Sequence, residues 1–106
     1  MDVNDFLQVR CLDEPKERLR ARSRNLSPMG ICFSSDYEWR RNQVLLIEYF
    51  LRDDMESVKL KVAVRWSEFI DSERGYFCGG AIYEIERGKE DMFINYYFQQ
   101  LKDKSP

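Results

Sequence analysis

The stretch from Val58 to Trp66 alternates without a break. Val58, Leu60, Val62, Val64 and Trp66 interleave with Lys59, Lys61, Ala63 and Arg65. A period of two places successive side chains on opposite faces of an extended chain. The pattern therefore predicts a strand with one face in a core and the other largely in water, with Trp66 on the core face. A second run has the same period. Arg18, Arg20, Arg22 and Arg24 alternate with Leu19, Ala21 and Ser23. That predicts a strand with a guanidinium face, its arginines spaced roughly 7 Å apart.

The rest of the chain reads as short strands between turn signals. Asp5 to Leu12 is a strand, followed by a turn at Asp13-Glu14-Pro15-Lys16. The polar turn Asn25-Leu26-Ser27-Pro28-Met29-Gly30 follows the arginine strand. In it Asn25 is suited to Asx-type bonding, Ser27 brings a short hydroxyl, Pro28 fixes its own φ, and Gly30 is free to take unusual backbone angles. Ile31 to Phe33 is a short apolar strand before a polar loop at Ser34-Ser35-Asp36. Gln43 to Leu51 is a well-buried strand, with the next turn at Asp53-Asp54. After a turn at Asp71 to Gly75, Tyr76 to Ile85 is another strand. Its Gly79-Gly80 pair marks a bulge or a close backbone approach.

The period changes over Lys89 to Leu101. Phe93, Tyr96, Tyr97 and Leu101 share one helical face, widened by Ile94 and Phe98. A polar tail, Lys102 to Pro106, is expected to fray. Five or six strands and one helix predict a small antiparallel barrel or sandwich with the helix packed on one side.

Composition narrows the function classes. The chain has 106 residues, which fits a single domain over 1–106, and its 43% hydrophobic content is enough to build one core. The three cysteines, Cys11, Cys32 and Cys78, are odd in number and not at metal-ligand spacing. They are expected to be reduced thiols in the cytoplasm. Met1 to Asp5 is acidic and unlike a signal peptide, and no run is apolar enough to insert in a membrane. Histidine is absent, which removes the commonest general base and metal ligand. With no nucleophile motif either, no enzyme, metal or cofactor is expected.

The net charge of −2 argues against a general DNA or RNA binder. The basic residues nonetheless cluster between Arg10 and Arg24. Guanidinium groups grip phosphate and the O6/N7 edge of guanine bidentately. Arg20, Arg22 and Arg24, next to the polar turn, are therefore candidates for an anionic ligand; a solvated or ion-paired face is the plainer explanation of the same stripe.

Four features in order resemble the PilZ domain family. Asn25-Leu26-Ser27-Pro28-Met29-Gly30 fits the family's pattern of Asp or Asn, any residue, Ser, two of any residue, Gly. The apolar strand Ile31-Cys32-Phe33 follows it. Val64-Arg65-Trp66 matches a strand end common in the family, and Gly80-Ala81-Ile82-Tyr83-Glu84-Ile85 precedes a terminal helix. The resemblance implies a six-stranded antiparallel β-barrel of the split-barrel type, with strands over about 5–85 and a C-terminal helix over about 89–101. It also implies a role in bacterial cyclic di-GMP signalling, with Asn25, Ser27 and Gly30 facing the nucleotide.

The family's second element is a loop bearing Arg-x-x-x-Arg about twenty residues before the turn. Met1 to Asp5 lies there and holds no arginine. Arg18 with Arg22, and Arg20 with Arg24, fit the spacing, but on an extended strand each pair is about 13 Å apart and does not curl over a ligand. The resemblance thus implies a degenerate member with weak or no nucleotide binding. Such a domain would work through a protein partner, or by self-association through its aromatic helix, in motility or biofilm control. A working cyclic di-GMP receptor using the turn and the nearby arginines stays open beside it. So does an unrelated barrel for single-stranded nucleic acid.

Overall fold

A computed structural model describes residues 3–12, 14–51 and 56–103, with the side chains of 14–18 and 103 outside the description. The strands are β1 (Phe6–Cys11), β2 (Glu14–Ser27), β3 (Gly30–Ser35), β4 (Val44–Leu51), β5 (Glu56–Asp71) and β6 (Gly75–Ile85), and the helix is α1 (Glu90–Asp103). The strands close into a barrel in the order β1-β2-β3-β6-β5-β4, and every neighbouring pair is antiparallel. The expected six-stranded barrel with a C-terminal helix is the fold. No helix among the described residues is long and apolar enough to cross a membrane.

Alternation fills the interior as the sequence pattern requires. Leu7, Val9 and Cys11 of β1, Leu45, Ile47, Tyr49 and Leu51 of β4, and Val58, Leu60, Val62 and Val64 of β5 are all buried. Ile31 and Phe33 of β3 face the same core. Ala21 and Ser23 of β2 point in, while Arg20, Arg22 and Arg24 point out.

Several boundaries differ from expectation. Strand β2 starts at Glu14, because Cys11 already pairs with Glu14 across a tight turn. The six-residue turn contracts to Pro28-Met29, since Ser27 pairs with Gly30. Gly30 takes no positive φ, so it opens β3 as an ordinary strand residue. Strand β3 absorbs Ser34 and Ser35, which were expected in a loop. Trp66 is not on the core face but is 45% exposed. A bulge between Val64 and Trp66 adds Arg65 as an extra residue and shifts the phase of everything after it. Asp53-Asp54, Asp13 and the end of the tail lie outside the described residues, and so does the Arg18 side chain.

Helix α1 caps one end of the barrel. Phe93 is fully buried and meets Tyr49 edge-on, with ring centroids 5.8 Å apart. Met92, Ile94, Tyr96 and Tyr97 pack around it. Leu101, expected on the packed face, is 44% exposed, and Phe98 is 56% exposed. At the N-terminus Gly88 takes a positive φ, and the Glu90 carboxylate accepts its amide at 3.1 Å. Acidic Glu90 and Asp91 suit the positive end of the helix.

A polar clasp ties the helix to three barrel segments. The Tyr49 hydroxyl donates to Asp5 Oδ2 at 2.5 Å, and the Tyr96 hydroxyl donates to Oδ1 at 2.8 Å. Ser23 Oγ accepts the Asp5 amide at 2.8 Å and lies 3.2 Å from the Tyr49 hydroxyl. Burial and the Asp5 bond push the Tyr49 hydroxyl well above its usual range, so it stays a donor.

The clasp makes a testable demand. Tyr49→Phe removes a buried bond to a charged acceptor and should lower unfolding stability by about 1.5–3 kcal/mol. Tyr96→Phe, at a half-buried position, should cost less. Urea unfolding of the two variants checks the order.

Candidate functional site

The outer face of β2, β3, β6 and β5 carries the expected site residues, and the pairing register says how they meet. Asn25 pairs with Cys32, Cys32 with Gly79, and Gly79 with Trp66. One step along, Ser27 pairs with Gly30, Gly30 with Ala81, and Ala81 with Ala63. Over these two rows lies an open groove of about 300 Å³. Asn25 and Ser27 border one side and Arg65 and Trp66 the other, with Gly30, Gly79 and Gly80 in the lining.

The groove is shallow because the residues across its centre, Gly30, Cys32, Gly79 and Ala81, are small. A Cβ on Gly79 would lie 2.3 Å from the Trp66 indole, so the ring rests directly on the Gly79 backbone. Of the expected bulge or close approach at Gly79-Gly80, the close approach is there, while the bulge lies opposite the pair, on β5 at Arg65. At Gly30 an added Cβ would sit 3.4 Å from the Gly80 carbonyl, which is ordinary contact. Ser27 Oγ donates to the Gly30 carbonyl at 3.4 Å, and the Ile82 amide donates to the Met29 carbonyl at 2.9 Å. The first bond closes the hairpin tip and the second ties it to β6.

The three strand arginines do not share this groove. Arg24 is the extra residue of a bulge between Ser23 and Asn25. Its guanidinium lies 4.8 Å from the centroid of the Phe77 ring, a cation–π contact. Arg20 and Arg22 line a second concavity, together with Ser34, Asp36 and Arg74. The structure thus brings Asn25, Ser27 and Gly30 together and sets Arg20 and Arg22 apart from them.

The two β5 residues of the groove lining were not among the expected ligand contacts. Arg65 and Trp66 belong to β5, far from the turn in sequence, and barrel closure places them opposite Asn25. The signal available was the strand ending Val64-Arg65-Trp66, whose apparent period put Trp66 inside. Among the described residues no cluster of acidic residues and cysteines could hold a metal ion.

The cysteines give the groove a chemical reporter. All three thiols are free. Cys32 is half-buried in the groove lining; burial raises its thiol and the Arg24 charge partly opposes that. Burial pushes Cys78 up to about 12. Alkylation of the native protein near neutral pH should therefore mark Cys32 well before Cys78, as mass spectrometry of timed samples will show.

The glycine floor makes a second demand. Gly79→Ala should destabilise by about 1–3 kcal/mol because the indole has to leave its seat. In a Trp66→Ala background the same change should cost far less. Gly30→Ala should fold normally. Denaturant titrations forming a double-mutant cycle read the coupling directly.

No family model matches the chain, and no curated protein matches it. Among solved structures, the inhibitor of motility MotI/DgrA of Bacillus subtilis shares the fold with a TM-score of 0.79 and 17% sequence identity. The match covers 100% of this chain and 51% of that one. The chain therefore spans about half the length of that protein, and the likeness is one of architecture: the closed barrel and its terminal helix.

Proposed function

We propose that this chain is a PilZ-like regulatory domain of bacterial cyclic di-GMP signalling that acts chiefly through protein contacts, with weak or no nucleotide binding. The observation that carries the reading is the convergence of Asn25, Ser27 and Gly30 in one groove on a barrel-plus-helix fold. The motif residues are assembled, while the arginine-bearing half of the usual site has no counterpart in Val3 to Asp5. Val3 instead donates its amide to the Arg24 carbonyl at 3.0 Å, and Asp5 is committed to the clasp. A segment paired along β2 in this way is not a loop free to fold over a ligand.

The contact face of such a regulator is the outer side of α1, where Phe98 and Leu101 are exposed. A partner protein or a second copy would use it. MotI/DgrA is an inhibitor of motility, which makes motility control the first process to examine.

One observation favours a second reading, a working receptor. Trp66 offers a flat exposed ring, Arg65 stands beside it, and Asn25 and Ser27 face them across the groove. A stacked guanine would gain about 1–3 kcal/mol from such a ring.

Titration calorimetry with cyclic di-GMP separates the two. Our proposal expects no saturable heat at micromolar nucleotide. Low-micromolar binding that is lost in Ser27→Ala and in Trp66→Ala would overturn it in favour of the receptor. Sedimentation velocity over a range of concentrations then tells a second copy from a foreign partner at α1.

A further inference from the structure

The second concavity, about 320 Å³ in volume, lies away from the hairpin groove. Arg20 and Arg22 enter it from β2, Ser34 and Asp36 from the end of β3, and Arg74 from the turn between β5 and β6. Arg20 and Arg22 repel each other on this concave surface in the absence of an anion, and Arg74, paired with Asp71, adds a third guanidinium beside them. Arg20 rests on the Phe6 ring at 5.8 Å, and among the described residues neither Arg20 nor Arg22 makes an ion pair.

The placement of Arg74 is built rather than incidental. Asp71 Oδ1 accepts the amides of Glu73 and Arg74 at 3.0 and 2.6 Å. Asp71 Oδ2 accepts Arg74 Nε and Nη2, both at 2.8 Å. Gly75 takes a positive φ and sits so close to Ser35 that an added Cβ would come within 2.5 Å of its carbonyl oxygen. The turn is thereby pinned against the end of β3, and Arg74 is held facing the β2 arginines. Those bonds also hold the Asp71 carboxyl below the usual carboxylate range, so the turn keeps its shape at neutral pH.

We propose that this concavity is an oxyanion site, separate from the hairpin groove, that takes the phosphate of a phosphoryl ligand. The donor set selects the chemistry. A carboxylate has two oxygens and matches one guanidinium fork. Arg20, Arg22 and the Arg74 nitrogens that Asp71 leaves unpaired converge better on a group with three or more oxygens, beside the Ser34 hydroxyl, which otherwise makes only a long 3.5 Å bond to the Arg22 carbonyl. The positive charges outnumber the acids nearby, three against Asp36 and Asp71. The proposal stands whether or not the hairpin groove binds a nucleotide.

The test is nuclear magnetic resonance of the arginine side-chain Nε–H groups, titrated at constant ionic strength. The arms are inorganic phosphate, cyclic di-GMP and acetate. Phosphate should shift Arg20, Arg22 and Arg74 saturably, with the affinity falling as salt is raised. Arg22→Ala should weaken it by about tenfold or more, the loss of one charge-assisted contact. Arg74→Ala should do the same and Arg74→Lys should restore part of it, while Trp66→Ala should leave it unchanged. If cyclic di-GMP shifts the same three groups, the phosphate is that of the nucleotide; if only inorganic phosphate does, the site serves another phosphoryl ligand. The proposal is overturned by shifts that do not saturate, by equal phosphate affinity in Arg22→Ala, or by a stronger response to acetate than to phosphate.

Discussion

One carboxylate organises the molecule. Asp5 stands just before β1, and its two oxygens accept hydroxyls from β4 and α1, while its amide is accepted by Ser23 of β2. A half-buried charge that receives two hydroxyl bonds is far better placed than one left unpaired. The same contact sets the phase of β2. Ser23 is fully buried because its hydroxyl has partners inside, and with Ser23 turned inward Arg22 and Arg24 face out. The direction of the arginine stripe and the docking of the helix follow from one buried polar cluster.

The functional surface is made by departures from regular pairing. The bulge at Arg24 lets Asn25 share the outer face while Leu26 returns to the core. The bulge at Arg65 carries Trp66 out of the barrel and onto the backbone of Gly79. Without the first, Asn25 would point inward; without the second, the groove would lose its aromatic wall. Extra residues in strands re-aim side chains in this way, and here both serve the same groove.

How much was legible in the sequence follows from the same physics. Val58 to Val64 could be assigned because regular alternation is a local property of the chain. Trp66 was misplaced because a bulge is decided by the partner strand, here by room above Gly79, which no period within β5 reveals. Phe93, at the heart of the helical face, was legible, but Leu101 was not, because it lies in the last turn of α1, beyond the residues from Met92 to Tyr97 that pack against the core. Asn25, Ser27 and Gly30 were recognised by their spacing. Their separation from Arg20 and Arg22, and the approach of Arg65, Trp66 and Arg74, depend on closure between strands distant in sequence.

The strand order has a consequence for how the chain is made. Strand β1 pairs with β4, and β3 pairs with β6, so neither seam closes between neighbours in sequence. Hairpins β1–β2, β2–β3 and β4–β5 form from local contacts, but the barrel waits for β6. During synthesis the chain up to β5 carries two open sheet edges and an uncovered apolar face. Only the arrival of β6 joins them, and only then does α1 have an end to cap. Closing seams over such separations is slow, because chain entropy is lost before the contacts that offset it are made. Until β6 is in place, those two edges and that face stay open to pairing with other chains.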